Sequence, residues 1–127
     1  MLQVTAQSKI FLAIQPVDFR KGIDGLAAVC RLHLKQNPYS GSFFIFRNRR
    51  GTALKILAYD GQGMWLFMKR FSQGTIRWWP KREEALHYLK VSELQILLWN
   101  GHPPGAQIPE DWRNIDYPYT AEAFKFC

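Results

Sequence analysis

At 127 residues, 47% of them hydrophobic, the chain is long enough for one domain with a buried core, and it does not read as an intrinsically disordered protein. Its 17 Lys+Arg against 10 Asp+Glu give a net charge of +7 and a pI near 9.7, which favours polyanionic partners such as nucleic acid or an acidic protein surface. Cys30 and Cys127 have no zinc spacing, and no apolar run is long enough for a signal peptide core or a membrane span, so the chain reads as cytoplasmic with no membrane partner.

Residues 9–17 form a β-type run of Ile, Phe and Leu closed by Pro16, a strand expected to join, at an edge, the meander that residues 43–71 form. Asp18, Phe19, Arg20, Lys21 and Gly22 follow, and Asp18 or Asp24 is expected to cap the next helix, since a carboxylate accepts the unpaired amide protons of a first turn. Ile23, Leu26, Ala27, Cys30 and Leu34 recur at helical spacing, predicting a helix over residues 23–35. Cys30 on that stripe reads as a small buried hydrophobe, and residues 37–41, with Pro38 and Gly41, end the helix.

Three aromatic and branched runs, residues 43–48, 54–59 and 64–71, are joined by short connections containing Gly51 and the Asp60, Gly61, Gln62, Gly63 sequence. This is an antiparallel meander, with Asp-Gly the favoured hairpin dipeptide because glycine accepts the positive φ of a tight turn. Alternation places Phe43 and Ile45 on one face with Phe44 and Phe46 on the other, and sorts Met64, Leu66, Met68 and Arg70 from Trp65, Phe67, Lys69 and Phe71. Neither face is wholly polar. Such a sheet needs a helix on one side and a partner, a ligand or the rest of the chain on the other.

Residues 75–80 read as a fourth strand stopped by Pro80, residues 86–91 fit either strand or helix, and residues 92–99 read as a short helix with Ser92 as its N-cap. From Asn100 the composition shifts to Pro103, Pro104, Pro109 and Pro118 with scattered aromatics. The organisation is therefore one α+β domain over residues 1–100 and an extended tail over 101–127. The fold expected is α+β: a mostly antiparallel sheet of about four to five strands, one main helix packed on it and a short C-terminal helix.

The cations Arg47, Arg49, Arg50, Lys55, Lys69 and Arg70 gather at strand ends and the first turn, a basic rim that is the candidate nucleic-acid-binding set. Arginine in a short turn reaches phosphate oxygens with a bidentate fork. Taken singly, Arg47 and Arg70 read as ion-pair partners of Asp18 or Asp60; for Arg49 and Arg50, phosphate contact and a solvated turn stand level. Trp65, Trp78 and Trp79 read as core rather than stacking platforms, because large aromatics go inside. A metal-dependent nuclease would draw on Asp18, Asp24, Asp60, Glu83, Glu84 and Glu93, but Asp18 reads as a cap and Asp60 as a turn residue. His33, His87 and His102 show no ligand or triad pattern, so no metal, cofactor or catalytic residue is expected.

Taken together, Asp18 to Gly22, Phe46 to Arg50, Lys55 to Leu57, Tyr59 to Leu66, Lys69 with Arg70, and Trp79 with Pro80 resemble one family over roughly residues 8–100. It is the accessory protein encoded by the second reading frame of bacterial insertion sequences of the sixty-six family, often called the transposition protein B. The chain departs from the usual pattern at Phe71, where leucine is common, and at Leu97 to Gly101, where a shorter Leu-Leu-x-Gly is usual; the tail matches poorly. The resemblance implies a non-catalytic accessory role beside a separate transposase, which is then a partner, and the basic rim adds DNA as the other. In that reading Asp18, Arg20, Lys21, Gly22, Asp60, Gly61, Gly63, Trp65, Trp79 and Pro80 are structural motif residues. A pure protein adaptor and a metal-dependent nuclease are the alternatives.

Overall fold

The computed structural model describes residue 5, residues 7–81 and residues 83–102. Five strands, β1 (Ile10–Ala13), β2 (Phe43–Arg47), β3 (Ala53–Tyr59), β4 (Met64–Arg70) and β5 (Leu86–Leu89), join two helices, α1 (Ile23–Leu32) and α2 (Val91–Leu98). The sheet order is β4-β3-β2-β1-β5, with β1 and β2 parallel and every other pair antiparallel. This is the α+β class the pattern predicts. The tail expected over residues 101–127 lies, from residue 103, outside the described residues, as does Cys127.

Alternation fixes which core each strand feeds. Phe43, Ile45, Leu54 and Ala58 join Ile10, Leu12 and Leu89 on one face, closed by Trp79 and by Leu94 and Leu97 of α2. Phe44, Phe46 and Leu57 meet Leu26, Ala27, Val29 and Cys30 of α1 on the other. The sheet is thus sandwiched between α1 and a second cover made by α2 with residues 71–80, which answers the demand of a sheet apolar on both faces. Burial pushes the Cys30 thiol up to about 12, as expected of a packed hydrophobe rather than a nucleophile.

β1 joins the meander at its β2 edge, as expected; β5 pairs with its other side and makes it an inner strand of the full sheet, and α1 supplies the crossover that a parallel β1–β2 pair requires. Four expectations are corrected. Residues 75–80 form no strand: Ile76 N–H donates to Gly51 O at 2.7 Å and Arg77 N–H to Asn100 Oδ1 at 2.8 Å. The Trp79 indole donates to Ala13 O at 3.0 Å, so this segment is a cover rather than a ladder. Helix α1 ends at Leu32 rather than residue 35, because Lys35 turns into the left-handed region (φ 56°) and Gln36 N–H reaches back to Cys30 O at 2.9 Å. Neither aspartate caps α1, whose N-cap is Gly22, and Ser92 lies inside α2, whose N-cap Lys90 gives its N–H to Glu93 Oε1 at 3.0 Å.

Candidate nucleic-acid interface

The geometry begins with Asn48. Its Oδ1 accepts Thr52 N–H at 2.8 Å and Ala53 N–H at 3.2 Å, while Nδ2 donates to Thr52 Oγ1 at 2.8 Å. One side chain thus satisfies the turn that Gly51 closes at φ 68°, and Arg49 and Arg50 stand exposed at its tip. Arg70 is brought alongside by the β3–β4 register, which pairs it with Ala53, and by Phe71 N–H on Thr52 O at 3.0 Å. Lys69, one residue earlier, pairs with Leu54; its Nζ donates to the Leu98 carbonyl at the end of α2 and lies 5.3 Å from the Phe71 ring centre.

Arg49, Arg50, Lys69 and Arg70 therefore come together at one end of the sheet, as the basic rim requires. The only ion pair between described residues joins Arg20 to Asp18, so none of these four cations is neutralised by a described carboxylate. Glu83 and Glu84 share a cleft on the α1 side with Lys21 and Arg49. Arg77 and Lys81, absent from the sequence-based set, line a cleft of about 670 Å³ on the opposite side with Arg47 and Trp78. Only the strand order and the fold-back of residues 75–80 bring them here; no local signal marks them.

Two members of the predicted set are placed elsewhere. Lys55 is 8% exposed, and its Nζ donates to Phe19 O at 2.8 Å and Lys21 O at 3.0 Å, 4.9 Å from the Phe19 ring centre. It clamps the 19–21 loop and is turned away from any phosphate. Arg47 is half-buried, with Nη2 donating to Ile14 O at 3.1 Å and its guanidinium 5.5 Å from the Trp79 ring centre. Desolvation lowers its pKa, and among the described residues its buried Nε has no hydrogen-bond partner. Neither Arg47 nor Arg70 pairs with Asp18 or Asp60.

The motif carboxylates are occupied locally. Asp18 accepts the Arg20 N–H at 2.9 Å and its guanidinium at 2.6 Å, which holds it down to about 2; Lys21 N–H closes the same turn on Asp18 O, and Gly22 leads into α1. Asp60 Oδ1 accepts Gln62 N–H at 2.8 Å and Gly63 N–H at 2.9 Å, Oδ2 accepts the Trp65 indole N–H at 2.7 Å, and Gly61 takes a φ of 99°. Those bonds hold Asp60 down to about 2 as well. Among the described residues no three His, Cys, Asp or Glu side chains come together to hold a metal ion, and no helix is long and apolar enough to cross a membrane.

A carboxylate whose folded pKa is depressed stabilises the fold above its ordinary value of 3.8 and loses that contribution as pH falls toward about 2. Asp60→Asn is therefore expected to flatten the fall in melting temperature between about pH 5 and about pH 2.5 relative to wild type. Thermal unfolding followed by circular dichroism checks this; identical acid dependence in both proteins would remove Asp60 from the account.

The tryptophans divide. Trp79, with Pro80 buried behind it, and the half-buried Trp78 pack as expected. Trp65 does not: it is 47% exposed, with Phe67 43% exposed on the same face and Met68 57% exposed on the other. They lie on β4, a sheet edge, at the end away from α2's cover. The hydrophobicity of an indole pointed inward, and only the strand order shows that β4 is an edge, where an apolar side chain can stay open to solvent.

A family model described as IS66 Orf2-like protein matches residues 8–104. Two relatives come from Sinorhizobium fredii. The uncharacterized protein y4jC is 40% identical over 90 residues, 71% of this chain and 76% of its own. The uncharacterized protein y4hO is 35% identical over 117 residues, 89% of this chain and 96% of its own. No solved structure shows a significant match.

Proposed function

Because the chain belongs to the IS66 Orf2-like family, we propose that it is a non-catalytic accessory protein of DNA transposition that binds DNA through the basic end of its sheet. The observation that carries this reading is the convergence of Arg49, Arg50, Lys69 and Arg70 at one sheet end without a described carboxylate paired to any of them. A protein that stores several unneutralised cations on a rigid turn gains by releasing counterions from a polyanion, and Asn48 prepays the cost of ordering that turn.

The contacts available are to phosphate. Arginine forks on a turn position a duplex without reading its sequence, and the turn is too short to place a recognition element in a groove. Fluorescence anisotropy with a labelled duplex across a salt series tests this. Affinity is expected to fall steeply with salt, and Arg49→Ala with Arg50→Ala to reduce the log–log slope by about 1.8 if each contacts one phosphate. With magnesium present the duplex should be recovered uncut. Binding indifferent to salt and to the double variant would overturn this placement.

A further inference from the structure

On β4 the side chains of Trp65, Phe67 and Lys69 share one face of the sheet, opposite Ala58, Ile56 and Leu54 across the ladder. The Trp65 and Phe67 rings stand nearly parallel, 4° apart with centroids 5.8 Å from each other. The indole is not free to swing, because its N–H is held on Asp60 Oδ2 at 2.7 Å. About half of each ring's residue is open to solvent. From Trp65 to Lys69 the strand spans about 13 Å, and it runs directly into Arg70 and the Arg49–Arg50 turn.

An ordered track thus leads from aromatic faces to cations that no described carboxylate neutralises. We propose that β4 is a stacking platform for an unpaired nucleic-acid strand, whose bases lie on Trp65 and Phe67 while its phosphates run toward Lys69, Arg70 and the turn. The inference rests on the DNA-binding reading above and adds to it an unpaired strand as the ligand of β4, beside the duplex that the basic end holds. In a duplex the base faces are covered by their neighbours; an unpaired strand offers them, and every base has a π-face for an aromatic to meet. The surface is a flat sheet corner rather than a groove, which suits stacking better than seating an amphipathic helix. Charge sets the polarity of the track: Asp60, an anion held on two backbone N–H groups and the indole, lies at the Trp65 end, and the cations Lys69 and Arg70 lie at the other, so the phosphates run toward the latter. Preorganised rings bind without the ordering cost that free side chains would incur.

The test is anisotropy with a labelled oligothymidylate and with a blunt duplex of equal length, using the full chain and the variants Trp65→Ala, Trp65→Phe, Phe67→Ala and the Arg49→Ala, Arg50→Ala pair. Trp65→Ala and Phe67→Ala are each expected to weaken single-strand binding about tenfold without changing its salt slope, and to leave duplex affinity within about twofold. Trp65→Phe keeps a ring while giving up the Asp60 bond, so it should retain most of the single-strand affinity, separating loss of stacking from loss of fold. If both alanine variants bind the single strand as wild type does while the arginine pair still weakens binding, the platform is wrong and the basic end stands. If wild type binds neither DNA, both readings fall. If the alanine variants keep single-strand affinity but lose co-purification with the purified transposase of the same element, the corner is a protein-docking surface and the platform is overturned.

Discussion

Lys55→Ala is expected to lower the unfolding free energy by about 3 kcal/mol while leaving the salt dependence of DNA binding unchanged. Lys55 is almost fully buried, and its ammonium is the donor shared by the carbonyls of Phe19 and Lys21. Alanine leaves both carbonyls without that donor and a void where the butyl stem packed, and an orphaned buried polar group costs about 1–3 kcal/mol. Water entering the void offsets part of that sum. Lys55→Met, which restores the stem but not the bonds, is expected to fall between the two. Arg49→Ala is the contrasting surface change and should stay within about 0.5 kcal/mol of wild type. Urea denaturation with m-values compared across the variants checks the set; a Lys55→Ala loss no larger than that of Arg49→Ala would mean the clamp on the 19–21 loop contributes nothing.

That contrast also marks where the sequence is legible. The meander could be read because its information is local: alternation sends Phe43 and Ile45 to one core and Phe44 and Phe46 to the other, and Asp60 with Gly61 builds its own hairpin. The turn that carries Arg49 and Arg50 is equally local. What was hidden depends on pairings distant in sequence. The inner position of β1 follows from its pairing with β2 through the α1 crossover on one side and with β5 on the other, and the fold-back of residues 75–80 depends on Trp79 finding Ala13 O, 66 residues away. Lys55 carried a usable signal, since it alternates with Leu57 on the face that α1 covers, but its charge outweighed its parity. For Trp65 no such signal existed. Whether an apolar residue on a strand is covered depends on what stands beside that strand, and β4 being an edge is a property of the whole sheet.

Reversing three charges, Arg49→Glu, Arg50→Glu and Arg70→Glu together, is expected to reduce duplex affinity about 1000-fold at ~50 mM salt. The substitutions take the net charge from +7 to +1, a change of six. Every phosphate deprived of its arginine takes about 0.9 off the log–log salt slope, and ~50 mM lies more than a decade below 1 M, so three such phosphates account for this factor before any repulsion is added. All three residues are exposed, and none makes an ion pair with a described residue, so the fold does not depend on them as it does on Lys55 and Arg47. The melting temperature should consequently stay close to that of wild type. Near 1 M salt the affinities of variant and wild type should converge, because counterion release is then worth little. Anisotropy titrations at both ends of the salt range separate the possibilities. A variant that folds normally and binds as wild type at low salt would show that DNA, if bound, sits elsewhere, with the cleft of Arg47, Arg77 and Lys81 the next surface to alter.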